Sequence, residues 1–95
     1  MYIVELTYQK SLDVIEAHLE AHRRFLDVHY EKAIFLASGP KNPRDGGIIL
    51  VTSGVGRQEL EEILAKDPFW QHDLALYRVT EFAPVKSLPE LKDVL

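Results

Sequence analysis

Hydrophobic and polar positions along the chain follow two different periods. Four short segments are rich in apolar, β-branched and aromatic residues, and the alternation is clearest from Tyr2 to Tyr8, which is typical of β-strands. In two longer segments, apolar residues recur at intervals of three and four, which places them on one face of an α-helix. The predicted strands cover residues 2–8, 33–38, 47–53 and 74–82, and the predicted helices cover residues 12–32 and 57–66.

The predicted elements follow one another in the order β-α-β-β-α-β. The second and third strands are joined by a short polar loop that contains proline and glycine, so they are expected to pair as an antiparallel hairpin. Asp67-Pro68 ends the second helix and favours a further helical turn over residues 68–72. This order predicts an α+β protein with a ferredoxin-like βαββαβ plait, in which two helices cover one face of an antiparallel sheet.

The other face of this predicted sheet has no helix to cover it, although the strands carry apolar residues on both faces. A large exposed apolar face usually marks an interface, which predicts a homodimer packed through its sheet faces. We expect one domain over residues 1–95, whose C-terminal tail, residues 83–95, packs on the domain or on the partner. The apolar residues of this tail are Leu88, Leu91, Val94 and Leu95.

Composition narrows the classes of function. The chain has 95 residues and a net charge of −4, which argues against nucleic acid and anionic membranes as partners. It contains no cysteine, which removes disulfides, thiolate metal sites and a cysteine nucleophile. No apolar run approaches the roughly 20 residues of a membrane span, and the first residues do not resemble a signal peptide. We therefore expect a cytoplasmic protein.

His22 and Asp67 are the candidate catalytic residues. His22 lies in the middle of the apolar stripe of the first helix, so a helix that buries this stripe also buries the imidazole. Asp67 lies seven residues after Leu60, on the inward stripe of the second helix, and both helices cover the same sheet face. A carboxylate bound to an imidazole is the orienting half of many acid–base sites. The structural alternatives are a core histidine at His22 and a helix cap at Asp67.

Four segments, in order and at matching spacing, resemble the YciI-like (YCII-related domain) family, and the resemblance covers roughly residues 1–83. The family implies a dimeric ferredoxin-like α+β barrel, with its histidine at His22 and its aspartate at Asp67. The few members with an assigned reaction act on small oxygenated ring compounds by elimination or isomerisation. The matching segments are Ala-His-Arg-Arg-Phe-Leu (21–26), Ser-Gly-Pro (38–40), Pro-Arg-Asp-Gly-Gly-Ile-Ile-Leu (43–50) and Lys-Asp-Pro-Phe (66–69).

Arg44 and Gly39 are the candidate substrate-binding residues. Arg44 lies in the hairpin loop between Pro43 and two glycines, from where its guanidinium could reach a bound carboxylate or phenolate. A loop arginine surrounded by solvent is an equally good interpretation of the same pattern. Gly39 lies at a strand end, where its backbone N–H could approach a ligand.

Three histidines on one helical face invite a metal interpretation, which the spacing does not support. His18 and His22 are four residues apart, but helix-borne zinc motifs place a glutamate directly after the first histidine, and here Leu19 occupies that position. His29 continues the same face without adding a recognised motif. We therefore expect no metal and no other cofactor.

The preferred interpretation is a cofactor-independent lyase or isomerase that acts on a small oxygenated ring compound. His22 would move the proton, Asp67 would orient the imidazole, and Arg44 and Gly39 would bind the anionic end of the substrate. The alternative is a non-catalytic small-ligand-binding or interaction module on the same dimeric barrel. A third possibility, an oxygenase-like barrel acting on haem or quinols, fits the His22–Asp67 pair poorly.

Overall fold

The strand-forming segments build one antiparallel sheet in the computed structural model, which describes residues 1–95. The first strand is central and pairs with the third and the fourth, and the second strand lies at the edge beside the third. The strands are β1 (Tyr2–Tyr8), β2 (Phe35–Pro40), β3 (Gly46–Val51) and β4 (Ala75–Glu81), and the helices are α1 (Leu12–Ala17), α2 (Leu19–Glu31), α3 (Arg57–Leu64) and α4 (Pro68–Gln71), followed by a 3₁₀-helix at Pro89–Leu91.

The helices pack on one face of the sheet, which is the ferredoxin-like α+β fold predicted from the sequence. Every second strand residue points to this face, and these side chains form one core with the inward side chains of all four helices. The buried sheet residues are Tyr2, Val4, Leu6, Phe35, Ile49, Val51 and Ala75, and the buried helical residues in contact with them are Ile15, Phe25, Leu60, Ile63, Leu64 and Phe69.

The helix predicted over residues 12–32 is divided at His18. The imidazole Nδ1 of His18 donates a hydrogen bond to the carbonyl oxygen of Val14, at 3.1 Å. In an uninterrupted helix this oxygen would accept the backbone N–H of His18, which instead bonds to the carbonyl oxygen of Ile15. α1 ends at Ala17 and α2 begins at Leu19. The same side-chain bond from His29 to Phe25 leaves α2 continuous, so the departure of the His18 backbone N–H from the helical pattern is what marks the break.

The second strand begins two residues later than predicted, because Ala33 and Ile34 terminate α2. Ala33 has a φ of 56°. The N–H of Ala33 donates to the carbonyl oxygen of Tyr30, and the N–H of Ile34 donates to the carbonyl oxygen of His29. These two bonds are the Schellman pattern, which usually has glycine at the left-handed position. An alanine at that position gave no helix-end signal in the sequence.

The hairpin pairing extends further than predicted, so Gly39 and Pro40 lie in β2 rather than in the loop. Pro40 pairs with Gly47 at the start of β3. Gly46 permits the close approach of β3 to β1, because a Cβ atom there would lie 1.8 Å from the carbonyl oxygen of Leu6. The hairpin therefore runs close along β1 up to its loop.

The opposite face of the sheet is uncovered in the single chain and carries both apolar and charged residues. Ile3 pairs with Leu50 toward one end of this face, Glu5 lies between Ile48 and Arg78 in the middle, and Leu76 pairs with Thr7 toward the other end. The side chain of Leu76 is 61% exposed. We refer to Ile3, Ile48, Leu50 and Leu76 as the open sheet face.

The C-terminal tail returns to the end of β3. The backbone N–H of Ser53 donates to the carbonyl oxygen of Leu95 at 2.7 Å, and the N-terminal ammonium donates to the Ser53 hydroxyl at 2.8 Å. Both chain ends therefore meet at one residue. No helix has the length and apolar character needed to span a bilayer.

Candidate active site

His22 lies on the buried side of α2, and its imidazole meets the carboxylate of Asp67. Its Nδ1 is 2.8 Å from Oδ1 of Asp67, and only 9% of the residue is exposed. The ring of Phe69 lies parallel to the imidazole, with 4.0 Å between ring centroids and 2° between planes. The contact predicted between His22 and Asp67 is therefore present, and an aromatic face fixes the plane of the imidazole.

Asp67 reaches this position by a different route from the one predicted. The helix α3 ends at Leu64, so Asp67 does not continue its inward stripe but caps the short helix α4. Its Oδ1 accepts the backbone N–H of Phe69 at 3.0 Å as well as the imidazole of His22. The helix cap and the imidazole partner, which the sequence offered as alternatives, are thus roles of the same oxygen atom.

Tyr77 on β4 is a further member of the site, and no sequence pattern had singled it out. Its hydroxyl donates to Oδ2 of Asp67 at 2.5 Å. Burial, followed by the nearby negative charge of Asp67, raises the pKa of Tyr77 far above its usual value, so the hydroxyl remains a donor. Strand alternation places Tyr77 on the helix side of the sheet, but its contact with Asp67 depends on how α4 packs against β4.

The three donors around Asp67 determine which imidazole nitrogen is free. The carboxylate of Asp67 is fully buried and accepts from His22, Phe69 and Tyr77, an arrangement suited to the ionised form. The hydrogen of neutral His22 therefore lies on Nδ1, and Nε2 keeps its lone pair. Every fully buried side-chain nitrogen or oxygen in the protein has a hydrogen-bond partner, whereas Nε2 of His22 has none. Nε2 must therefore reach the surface of the adjoining cleft.

The cleft beside His22 has a volume of about 640 Å³, which is in the range of small-ligand sites. It is lined by residues of α1, α2 and α4, and by residues of β1 and of the β2–β3 hairpin. Three of the four predicted site residues, His22, Arg44 and Gly39, line it, while Asp67 lies behind the imidazole. The apolar lining residues are Leu6, Leu19, Leu26, Pro40, Ile48, Ile49 and Phe69.

Arg44 lies at the mouth of the cleft and is held there by the protein. Its Nη1 is 3.0 Å from Oε1 of Glu16 on α1, and both residues line the cleft. The carboxylate of Glu16 and the nearby hydroxyl of Tyr8 raise the pKa of Arg44. Arg44 is therefore not a free loop arginine, and its charge is largely balanced by Glu16.

Gly39 lines the cleft from the edge strand. It pairs with Ile48 in the sheet, and a Cβ atom at Gly39 would meet no other atom within 4 Å. The backbone at this position therefore borders open space.

The remaining histidines do not converge with His22. Nδ1 of His29 donates to the carbonyl oxygen of Phe25 in the core, and the ring of His18 lies 4.6 Å from that of His72. No group of three or more histidine, cysteine or acidic side chains is arranged to hold a metal ion. His29 is thus a core histidine, and the three histidines of this helical face have different partners.

Comparisons with known proteins agree with this fold. The family model for the YCII-related domain matches residues 1–83. A solved structure of 5-chloro-2-hydroxyhydroquinone dehydrochlorinase from Burkholderia phenoliruptrix, in complex with 2,5-dihydroxybenzoquinone, is similar with a TM-score of 0.71. The two chains are 19% identical, and the similarity covers 87% of this chain and 94% of that one, which shows a common fold. A comparison with curated proteins found no match.

Proposed function

The chain belongs to the YCII-related domain family, and from this premise we propose that it is a cofactor-independent lyase or isomerase acting on a small oxygenated ring compound. The observation that carries the proposal is the 2.8 Å contact between His22 and Asp67, which directs the free Nε2 of His22 into a ligand-sized cleft. An imidazole oriented in this way has the geometry of a general base.

The proposed reaction begins with removal of a proton. Nε2 of His22 takes a proton from an acidic C–H or ring O–H of the substrate, and the electron pair left behind forms a new C=C or C=O bond. In an elimination, a leaving group such as chloride departs with its bonding electrons, and the proton on Nε2 is then released to water. In an isomerisation, the proton returns from Nε2 to a different carbon. The buried carboxylate of Asp67 stabilises the imidazolium between these steps.

The cleft lining supports a compact ring compound as the substrate. Phe69 and the leucines of α2 provide apolar walls, while Arg44 and the backbone at Gly39 offer donors to an oxygen substituent. The similar fold of a dehydrochlorinase solved with a dihydroxybenzoquinone supports the same substrate class. The cytoplasmic location remains a prediction from the sequence.

The test is proton exchange and elimination with and without the imidazole. Wild-type protein is incubated in D₂O with chlorinated hydroxyhydroquinones and with ring ketones and lactones that carry an acidic C–H. NMR follows deuterium incorporation, and chloride release is measured. We expect turnover of at least one compound, and we expect His22→Gln to slow it by about 10²- to 10⁴-fold.

His72→Gln is the matched control, because His72 is an exposed histidine outside the cleft, and it should keep the wild-type rate. Equal rates in the His22→Gln and wild-type proteins would exclude His22 as the base. Saturable binding of these compounds without exchange or elimination of any of them would favour the non-catalytic binding module instead.

We propose further that residues 1–95 form one domain and that two copies pack through the open sheet face into a dimeric α+β barrel. The support is the uncovered apolar side chains of this face, where Leu76 is 61% exposed at one end and Ile3 pairs with Leu50 toward the other. A second copy of the chain offers the same apolar surface, so contact between the two copies would remove the open sheet face of each from water. The tail, residues 83–95, would lie at the rim of this contact.

Leu76→Arg should convert the dimer into monomers, because each interface would then hold two buried, unpaired guanidinium groups. Light scattering with size-exclusion chromatography should report twice the 10.9-kDa chain mass for the wild type and the single mass for Leu76→Arg. Val28→Arg is the control, because Val28 is 46% exposed on α2, away from the open sheet face. A wild-type monomer, or a dimer that survives Leu76→Arg, would contradict this interface.

A further inference from the structure

Arg23 is an exposed arginine that lines the cleft and has no carboxylate partner. The other two charged residues of the lining, Glu16 and Arg44, neutralise each other at 3.0 Å. Arg23 forms no ion pair, whereas the next residue, Arg24, binds Glu20 at 2.9 Å outside the cleft. The cleft lining therefore carries one unbalanced positive charge, although the chain as a whole has a net charge of −4.

Arg23 and His22 line the same cleft from consecutive positions of α2. Leu19, Arg23 and Leu26 are separated by four and three residues, so they form one row along α2 that borders the cleft. His22 is the next residue in the chain and lines the same cleft from the buried side. A ligand in this cleft is therefore bordered by both His22 and Arg23.

We propose that Arg23 binds a carboxylate or ionised ring hydroxyl of the ligand and makes the cleft selective for monoanions. A planar guanidinium donates two parallel hydrogen bonds to such a group, and the charge adds to each of them. The inference rests on the proposed function in one respect, since it places the reacting end of the same ligand at Nε2 of His22.

Arg23 and Arg44 thereby have different effects on a ligand. The charge of Arg44 is already balanced by Glu16, so its remaining N–H groups can bind an oxygen of either a neutral or an anionic ligand. The charge of Arg23 is not balanced and favours the anion over a neutral molecule of the same shape. The ratio of the two affinities separates these roles, whereas either affinity alone does not.

The test compares 4-hydroxybenzoate with its neutral analogue 4-hydroxybenzamide by titration calorimetry or NMR. We expect the wild type to prefer the anion by about tenfold, and Arg23→Gln to abolish that preference by weakening the anion alone. Arg24→Gln makes the same change in net charge on the neighbouring residue and should keep the preference within about twofold. Glu16→Gln combined with Arg44→Gln should weaken both probes to a similar extent.

Three results would overturn the proposal: equal wild-type affinity for the two probes, equal loss in Arg23→Gln and Arg24→Gln, or no saturable binding of either probe. Measurements on the wild type and on His22→Gln distinguish this failure from that of the proposed function. If the wild type prefers the anion but shows no proton exchange, the catalytic proposal is wrong and the anion site stands. If the wild type shows exchange that His22→Gln lacks, but no anion preference, only the role of Arg23 is wrong.

Discussion

Asp67→Ala is expected to lower the free energy of unfolding by about 3–5 kcal/mol, the usual cost of removing one partner of a buried charged network. The substitution leaves the imidazole N–H of His22, the backbone N–H of Phe69 and the hydroxyl of Tyr77 without their common acceptor. Loss of the cap on α4 is included in this figure and accounts for about 1 kcal/mol of it. Urea unfolding monitored by circular dichroism measures the change.

Asp67→Asn removes the negative charge of the Asp67 side chain but keeps its size and one acceptor oxygen. The amide oxygen can still accept from Phe69 and His22, so the free energy of unfolding should fall by only about 1–2 kcal/mol. The rate of proton transfer should nevertheless fall by about 10²- to 10⁴-fold, because no negative charge stabilises the imidazolium. Nitrogen-15 shifts of the His22 ring should report hydrogen on Nδ1 in both proteins, because the amide oxygen accepts the same two donors.

Tyr77→Phe is the companion to these variants, since it removes one donor and leaves the carboxylate. It should change the unfolding free energy less than Asp67→Ala does, because Oδ1 keeps both of its donors. An Asp67→Ala protein that loses less than about 1 kcal/mol would contradict the buried network around this carboxylate.

The predictable part of the site follows from helical period and strand alternation. A histidine in the apolar stripe of α2 has to point into the core, and Asp67 directly before Pro68 has to lie near the start of a helical turn. The helical period therefore sufficed to bury His22. It did not suffice for Asp67, because α3 ends at Leu64 and the contact with His22 depends on how α4 packs against α2.

The remaining parts depend on contacts between elements that are distant in the sequence. The pairing of Glu16 with Arg44 joins α1 to the hairpin loop, and the bond from Tyr77 to Asp67 joins β4 to α4. Neither partner has a sequence signal that selects the other. The break at His18 depends on the orientation of one side chain, and the shifted start of β2 depends on an alanine with a positive φ.

Phe69→Ala should also lower the free energy of unfolding by about 3–5 kcal/mol, because the ring is only 1% exposed and its removal leaves a cavity. Trp70→Ala, at the next position, is the control: Trp70 is 41% exposed, and we expect a loss of about 1 kcal/mol. Urea unfolding of the two variants should therefore give clearly different midpoints. Similar losses would contradict the burial of Phe69 beneath the imidazole.

Phe69→Leu distinguishes filling of the core from positioning of the imidazole. Leucine keeps much of the apolar volume, so the loss of unfolding free energy should stay below about 1.5 kcal/mol. It lacks the flat face that lies 4.0 Å from the ring of His22, so the imidazole can rotate about its bond to Asp67. The rate of proton transfer should then fall while anion binding at Arg23 stays within about twofold of wild type. An unchanged rate would show that the hydrogen bond to Asp67 positions His22 without help from the aromatic face.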